Sequence, residues 1–596
     1  MARKAVPFTQ VDIHDGFWKP RMRVLSEVTL PTCLDRCDRT GRIANFRRAA
    51  GLEEGEFKGI FFDDSDVYKV LEGVAYSLQT NPDPQLEARA DAVIDAIAAA
   101  QQQDGYLFCF FTLNTPQLRW TDMDKHEMYC AGHLIEAAIA YDQATGKSQF
   151  LQVARRLADH LDDTFGEGKR HWVPGHEEIE LALMKLYRYT GEARYLTLAK
   201  FLLEERGRGH GRGRIWQETA HFGAAYAQDD VPVAEQRIVR GHAVRAMYLY
   251  TAMADAMAEG SAEDYMPALL ALYENVAERN MYITGGIGSS ASNEGFTNDY
   301  DLPNDTAYCE TCASVGMVYW NHRMNLLTGE GKYADVAERA MYNGVLAGYG
   351  LRGDLFFYDN PLSSDGQKHR SEWFDCSCCP TQLARFIPAI GAYQYVVDGN
   401  EAYVNLYMQS SAHLALAKQT ITLNQQTAYP WSGEVRIVVE ETDAPFTMRL
   451  RLPEWCPSFS LLVNGRAEPF EKAMGYLAIQ NVRAGDEILF VMDMPVMRMV
   501  AKADVLQDAG KVALQRGPLV YCVEEVDQHI PREQMVLRKN VPISYGFDST
   551  LLGGVVTLEA ENMKWIPYCL WNNRAAGTMD VWIPCRAEEE QLYRRG

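Results

Sequence analysis

Apolar residues recur at positions i, i+3, i+4 and i+7 through most of the first two thirds of the chain, from about Leu25 to Val397. The segments ADAVIDAIAAAQQ (90–102), GHLIEAAIAYDQATG (132–146) and IELALMKLYRYTG (179–191) show this spacing clearly. It places the apolar side chains on one face of an α-helix. We therefore predict a large helical domain over residues 1–397.

The turns between these helices repeat along the chain. Thr145, Thr190 and Thr328 each precede a glycine, and an aromatic residue lies four positions after that glycine. The intervals between the threonines are 45 and 138 residues, and the second is three times 46. A helical hairpin of about 46 residues is the predicted repeating unit. Six hairpins would close into an (α/α)6 barrel, and an open solenoid is the alternative.

After about Asn400 the pattern changes to short runs with alternating or β-rich character, such as EVRIVVEE, FTMRLRLP and DEILFVMDMP. These runs predict a β-sandwich domain over residues 398–500. From about Ala501 the pattern returns in KVALQRGPLVYCVEE and MDVWIPC, which predicts a second, smaller β-sandwich domain over residues 501–596. The expected fold class is mainly α plus β, with the helical barrel first and the sandwiches after it.

Composition narrows the choice of partners and compartment. The 596 residues include 80 acidic and 58 basic side chains, a net charge of −22, so nucleic acid and anionic membranes would be repelled. The chain has no run of 18 apolar residues, and its first residues lack the apolar stretch of a signal peptide. Thirteen cysteines, an odd number, fit a reducing compartment better than a disulfide framework. We expect a cytoplasmic protein, or one whose signal peptide has been removed.

Two short motifs concentrate metal-binding side chains. Glu310 and Cys312 are separated by one residue, and Cys378 and Cys379 are adjacent. One carboxylate and three thiols are donors that Zn²⁺ takes in four-coordinate sites. Adjacent cysteines are awkward for a simple zinc ribbon, which suggests that one thiol has another role. The alternative is a group of ordinary buried thiols.

A carboxylate and three histidines are further candidates. Glu294 follows a Gly/Ser-rich segment that predicts a loop, where catalytic residues are often placed on a rigid scaffold. A solvated surface glutamate is the alternative. His133, His176 and His242 each follow a glycine at or near a predicted helix start, which suggests a shared position around a barrel mouth. The alternative for each is a helix-start or core histidine.

Several long motifs occur together in a characteristic order. They include FFDDSDVYKVLEG (61–73), YCAGHLIEAAIAY (129–141), ETCASVGMVYW (310–320) and CSCCPTQLAR (376–385), with support from LRLPEWCPSFSLLVNG and QRGPLVYC near the end. In these motifs the chain resembles glycoside hydrolase family 127, the β-L-arabinofuranosidases, and the related family 146. The resemblance covers essentially the whole chain and implies an (α/α)6 catalytic barrel followed by β-sandwich domains.

The resemblance also implies a mechanism, that of a retaining glycosidase in which a zinc-bound cysteine is the nucleophile. Position by position, it implies that zinc is held by Glu310, Cys312, Cys378 and Cys379. Cys378 would attack the sugar, and Glu294 would serve as acid and base. The residues implied to line the sugar pocket are His133, His176, His242, Tyr358 and Cys376.

The substrate implied by the resemblance is a plant-derived, non-reducing terminal β-L-arabinofuranoside. Relatives that act on a branched acidic sugar of pectin leave a second substrate open, and an added Arg or Lys in the pocket would favour that acid. Two other hypotheses are a non-catalytic glycan-binding protein with a structural zinc and a sugar epimerase that uses paired histidines. A homodimer is favoured, because large β-sandwich tails often serve as dimer surfaces.

Overall fold

The computed structural model describes residues 3–213, 223–261 and 264–586. Its α-helices are α1 (Trp18–Val24), α2 (Leu30–Arg39), α3 (Arg42–Ala49), α4 (Asp64–Thr80), α5 (Pro84–Ala100), α6 (Cys109–Asn114), α7 (Glu127–Thr145), α8 (Gln149–Thr164), α9 (Ile179–Thr190), α10 (Ala193–Glu205), α11 (Ala243–Ala258), α12 (Met266–Asn275), α13 (Thr311–Thr328), α14 (Gly331–Arg339) and α15 (Cys378–Phe386). Short π-helical segments follow α1, α12 and α14, at Leu25–Thr29, Val276–Asn280 and Ala340–Val345. The predicted helical character of the N-terminal part is confirmed.

The repeated Thr-Gly turns end three of these helices in the same way. Helices α7, α9 and α13 end at Thr145, Thr190 and Thr328, and the glycine after each has a φ of 71°, 77° and 77°. Each threonine hydroxyl donates to the carbonyl oxygen four residues earlier, at 2.8 Å in all three cases. Glycine adopts this left-handed backbone without strain, so the chain can turn sharply into the next helix.

Six helices close a ring by packing against one another in sequence. Helix α4 packs on α7, α7 on α9, α9 on α11, α11 on α13, α13 on α15, and α15 returns to α4. Helices α5, α8, α10, α12 and α14 each pack on the ring helix that precedes them. The burial follows this arrangement: α13 is buried on nearly all sides, whereas α8 buries one face, including Phe150, Leu157 and Leu161.

The C-terminal part is rich in strands, as predicted. The strands of the described residues are β1 (Lys4–Ala5), β2 (Val11–Ile13), β3 (Ser363–Ser364), β4 (Tyr395–Asp398), β5 (Glu401–Val404), β6 (Ser410–Ala415), β7 (Thr420–Thr427), β8 (Glu434–Glu441), β9 (Phe446–Arg451), β10 (Phe459–Val463), β11 (Glu471–Ala473), β12 (Tyr476–Val482), β13 (Glu487–Met492), β14 (Val496–Met499), β15 (Lys511–Arg516), β16 (Leu519–Glu524), β17 (Leu537–Arg538), β18 (Ser544–Asp548), β19 (Val555–Ala560), β20 (Met563–Pro567), β21 (Met579–Asp580) and β22 (Ile583–Arg586).

These strands form three sheets. Two six-stranded sheets have the orders β1-β4-β5-β9-β12-β11 and β10-β13-β8-β7-β6-β2, and a ten-stranded sheet runs from β17 to β18 through β22, β15, β16, β20 and β19. In the first sheet β5 and β9 are parallel, with Glu401 opposite Thr447. Strands β1 and β2, at the start of the chain, pair with β4 and β6. The N-terminal residues thus extend the sheets of the middle region. The domain limits at 397/398 and 500/501 stay a prediction. Within the described residues, no helix is both long and apolar enough to cross a membrane.

Candidate active site

A cavity of about 100 Å³ lies within the ring of helices. Eight of the ten residues expected from the sequence line it: His176, His242, Glu294, Glu310, Cys312, Tyr358, Cys376 and Cys378. Cys379 lies against this lining and belongs to the Glu/Cys cluster described below. His133 is not among the lining residues. It is fully buried, its ring packs edge-on against Tyr129 at 4.4 Å, and its Nδ1 lies 3.1 Å from Glu178 Oε1.

Glu310, Cys312, Cys378 and Cys379 converge on one point, and we call them the Glu/Cys cluster. Their ligand atoms all lie within 4.8 Å of one another. The Sγ atoms of Cys312 and Cys379 are 3.5 Å apart, and those of Cys378 and Cys379 are 3.8 Å apart. Glu310 Oε1 lies 3.3 Å from the sulfur of Cys378 and 3.7 Å from that of Cys379.

The starts of two helices create this convergence. Glu310 is the residue before α13, Cys312 lies in its first turn, and Cys378 and Cys379 are the first two residues of α15. The N-terminal ends of helices carry unpaired N–H groups and a partial positive charge. Thiolates and carboxylates are therefore stabilised where α13 and α15 begin.

The Glu/Cys cluster fits a tetrahedral zinc ion. With Zn–S bonds of about 2.3 Å and Zn–O bonds of about 2.0–2.2 Å, the ligand atoms of such a site lie roughly 3.3–3.8 Å apart. Glu310 Oε2 is buried and has no hydrogen-bond partner within the described residues. Burial and the neighbouring sulfur of Cys378 raise the pKa of Glu310 well above its ordinary value. A divalent cation would reverse this effect, because it would compensate the charge of the buried donors.

Glu294 lies in a loop, as its surrounding sequence predicts, with a φ of 50°. Its backbone oxygen accepts a hydrogen bond from Ala243 N at 3.0 Å, which holds the loop against the start of α11. The next residue, Gly295, approaches Gly241 so closely that a Cβ atom would lie 1.8 Å from the Gly241 carbonyl oxygen. Only glycine allows this contact, so the position of Glu294 depends on its neighbour.

The carboxylate of Glu294 accepts three hydrogen bonds. Tyr226 Oη donates to Oε2 at 2.8 Å, Tyr308 Oη donates to Oε1 at 3.2 Å, and His242 Nε2 lies 3.3 Å from Oε2. Burial raises the pKa of Glu294, but the hydrogen bonds of His242 and Tyr226 outweigh it and lower the pKa to about 2. Glu294 is therefore ionised at neutral pH.

His242 owes its tautomer to its place as the N-cap of α11. Its Nδ1 accepts hydrogen bonds from Val244 N at 3.2 Å and Arg245 N at 3.4 Å, so this nitrogen carries no proton. Burial lowers the pKa of His242, which keeps the ring neutral. The remaining proton must lie on Nε2, where it is donated to Glu294. The Gly-His pair at 241–242 thus orients the carboxylate as well as starting the helix.

Two tyrosines connect the carboxylate to the thiol. Tyr308 donates to Glu294, and its ring centroid lies 6.1 Å from that of Tyr358. Tyr358 Oη lies 3.2 Å from Cys378 Sγ and 3.5 Å from Cys376 Sγ. Glu294 and Cys378 therefore share one wall of the cavity. His176 packs against Tyr129 with a centroid distance of 4.3 Å and against His242 with one of 5.6 Å.

Several lining residues were not identified from the sequence, among them Lys69, His126, Tyr129, Arg245 and Tyr248. Four of them lie within or near motifs already singled out. Their residue types occur on any partly polar helix, so nothing in the sequence marked them as lining a cavity. Lys69 is 1% exposed and lies in the middle of α4, and its Nζ donates to Tyr129 Oη at 2.6 Å. A lysine within a helical segment is visible in the sequence. That its side chain is buried is not, so the sequence offered no usable signal for Lys69.

A buried ion network lies within the ring, beside α15. Arg385, in the last turn of α15, donates to Glu72 Oε2 at 2.9 Å and to Glu136 Oε2 at 2.6 Å. It also donates to Tyr248 Oη at 3.0 Å, and Tyr248 lines the cavity. Glu72 lies on α4, Glu136 on α7 and Tyr248 on α11, so one guanidinium joins α15 to three other helices of the ring.

Comparisons with known proteins point to one family along the whole chain. The family model for the β-L-arabinofuranosidase GH127 catalytic domain matches residues 10–392. The GH127 middle-domain model matches residues 401–494, and the C-terminal-domain model of glycoside hydrolase family 127 matches residues 496–584. The chain is 37% identical to a non-reducing end β-L-arabinofuranosidase of Bifidobacterium longum subsp. longum, over 96% of this chain and 99% of that protein.

Two solved structures have the same architecture. A GH127 β-L-arabinofuranosidase from Geobacillus stearothermophilus T6 is 41% identical, with a TM-score of 0.92 over 97% of this chain and 100% of that one. A GH127 β-arabinofuranosidase is 39% identical, with a TM-score of 0.93 over 98% of each chain. The similarity therefore includes all three regions of the fold.

Proposed function

Because the chain belongs to glycoside hydrolase family 127, we propose that it is a retaining glycosidase that releases non-reducing terminal β-L-arabinofuranose, with Cys378 as nucleophile and Glu294 as acid and base. The observation that carries the proposal is that this carboxylate and this thiol line one small cavity. A cavity of about 100 Å³ is much smaller than sites for drug-sized ligands, so it suits one sugar ring rather than a chain.

The Glu/Cys cluster would hold a zinc ion in this proposal. When bound, zinc would keep Cys378 as a thiolate at neutral pH, so the nucleophile would need no separate base. Tyr358 supports this assignment, since its hydroxyl lies 3.2 Å from the sulfur and can donate to a thiolate. The start of α15 stabilises the same negative charge.

The first step forms a bond between Cys378 Sγ and the anomeric carbon and breaks the bond to the leaving oxygen. Glu294 gives its proton to that oxygen. In the second step Glu294 takes a proton from water, the water oxygen attacks the anomeric carbon, and the thiolate leaves. The low pKa of Glu294 in the free protein suits this second step directly. For the first step, we infer that a bound sugar raises the pKa by excluding water from the carboxylate.

Two cationic side chains line the cavity, and both already have partners within the protein. This favours neutral arabinofuranose over an acidic sugar as the substrate. Arg245 forms an ion pair with Asp124, with Nη2 and Oδ1 3.4 Å apart, and both side chains are 1% exposed. Lys69 donates to Tyr129; burial opposes its charge, but Asp66 and, less strongly, Cys378 and Cys312 outweigh burial and raise its pKa. Because both cations have partners within the protein, neither is left to bind a substrate carboxylate.

We also infer that the helical region is an (α/α)6 barrel, and we retain the predicted domains 1–397, 398–500 and 501–596. The closed ring of six helices, with further helices packed outside it, supports the barrel assignment. The matched regions 10–392, 401–494 and 496–584 support a division near these limits. A homodimer stays a prediction.

The test combines a substrate screen with a labelling experiment. Among nitrophenyl furanosides, we expect release of nitrophenol from the β-L-arabinofuranoside and loss of activity after treatment with a chelator. An arabinofuranosyl inactivator with an electrophilic anomeric carbon should add one sugar mass to the peptide that contains Cys378, and excess substrate should prevent the labelling. A sugar adduct on Glu294 or Glu310, with Cys378 unmodified, would contradict the assignment of the nucleophile.

A further inference from the structure

A second group of metal-binding side chains lies apart from the Glu/Cys cluster. His171, Glu205 and His210 each offer one ligand atom, and these atoms lie within 4.8 Å of one another. His171 Nδ1 is 2.7 Å from Glu205 Oε2, and His210 Nε2 is 3.5 Å from the same oxygen. Ligand atoms bound to one zinc through bonds of about 2.0–2.2 Å lie roughly 3.3 Å apart. The two observed distances fall on either side of this value.

Glu205 is the buried member of this group. The Glu205 side chain is only 9% exposed, and among the described residues its ion-pair partners are the two histidines alone. A divalent cation held between the three side chains would compensate the charge of this carboxylate. The histidine side chains are 49% and 30% exposed, which leaves a path for an ion and for water ligands.

The backbone near Glu205 is shaped to bring His210 back toward it. Arg208 N donates to the carbonyl oxygen of Glu205 at 3.3 Å, which forms a turn directly after α10. Gly207 has a φ of 78°, and a Cβ atom there would lie 2.0 Å from Val231 C. The turn therefore requires glycine, and it brings His210 to the surface where Glu205 and His171 lie.

We propose that His171, Glu205 and His210 form a second divalent-metal site, selective for imidazole-preferring cations such as Zn²⁺, on the outside of the helical region. Two imidazoles and one carboxylate are the donors that Zn²⁺ takes when water completes the coordination. A bound ion would join the segment before α9 to the turn after α10. Arg206, next to Glu205, donates to the carbonyl oxygen of Pro174, two residues before His176 of the cavity wall. A bound ion would therefore hold a segment that Arg206 connects to the cavity wall.

The experiment uses the full chain with its Glu/Cys cluster already filled with zinc. Further Zn²⁺ is titrated calorimetrically into the wild type and into His171→Ala, His210→Ala and Glu205→Gln. His529→Ala is the matched control, because His529 is an exposed histidine outside this group. Circular dichroism and activity before the titration confirm that each variant is folded.

We expect one additional zinc per chain in the wild type and in His529→Ala, with affinity at least tenfold weaker in each of the three ligand variants. Added zinc should also raise the melting temperature of the wild type and of the control, but not that of His210→Ala. A wild type that binds no additional zinc would overturn the proposal. Ligand variants that bind additional zinc as tightly as the wild type would also overturn it.

Discussion

Replacing Arg385 with Met tests whether the buried ion network holds α15, and with it the two adjacent cysteines, in place. Met keeps much of the side-chain volume but removes the charge and every hydrogen-bond donor. Glu72 and Glu136 would then retain one cationic partner, Lys185, whose Nζ lies 3.5 Å from Glu72 and 3.0 Å from Glu136. Lys185 is partly exposed, so it cannot replace a fully buried guanidinium.

The expected loss of stability follows from leaving buried carboxylates without their main partner. Breaking a buried ion pair by removing one member costs about 3–5 kcal/mol. The helical region spans roughly 380 residues, and at about 2.1 cal/mol/K per residue its unfolding entropy is about 0.8 kcal/mol/K. The melting temperature of this region should therefore fall by about 4–6 °C at pH 7.

The effect should also depend on pH. Burial would raise the pKa of Glu136, but Lys185 and Arg385 outweigh it and hold the pKa well below the ordinary 4.5. A depressed pKa contributes stability above pH 4.5, and this contribution is lost as the pH falls. The difference in melting temperature between wild type and Arg385→Met should accordingly be fully present above pH 4.5 and narrow as the pH falls below 4.5.

Differential scanning calorimetry at several pH values measures both effects. Arg323→Met is the matched control, because Arg323 is 32% exposed and pairs with Asp255 at 3.2 Å. An ion pair of this exposure contributes about 1 kcal/mol or less, so the control should melt within about 1 °C of the wild type. If Arg385→Met melted as close to the wild type as this control, or if the difference did not change with pH, the role given to the network would be wrong.

Three further predictions concern the proposed chemistry. Glu294→Gln should lower kcat/KM by about 10²–10⁴ for a natural arabinofuranoside and much less for a nitrophenyl arabinofuranoside, because a good leaving group needs little protonation; equal losses would exclude the acid role. Tyr226→Phe removes a donor 2.8 Å from Glu294, so the pKa of that carboxyl should rise by about one unit and the falling alkaline limb of kcat for a natural glycoside, which reports the sugar-bound enzyme, should move to higher pH; an unmoved limb would contradict the role given to Tyr226. Zinc bound at the Glu/Cys cluster should be released as the pH falls and should be retained less well by Cys312→Ser, as measured by elemental analysis, because protons compete for thiolate ligands; unchanged zinc content in the variant would remove Cys312 from the ligand set.

The sequence by itself determined the order of the regions and the identity of most candidate residues. Its 3.6-residue spacing predicted the helices, and the repeated Thr-Gly turns end α7, α9 and α13 as expected, because glycine readily adopts the backbone that stops a helix. The two short motifs at 310–312 and 378–379 suggested the Glu/Cys cluster but left ordinary buried thiols as the alternative, and the structure brings the four side chains together.

Only the tertiary structure decided which histidines face the cavity and how the carboxylate is held. His133 and His176 both follow a glycine, yet the first is buried behind Tyr129 while the second lines the cavity. Sequence spacing cannot separate them, because helix packing sets the direction of each side chain. In the same way, the pKa of Glu294 depends on His242 and Tyr226, which lie 52 and 68 residues away along the chain. Such contacts between distant residues form only when the ring of helices closes, so one sequence read locally does not contain them.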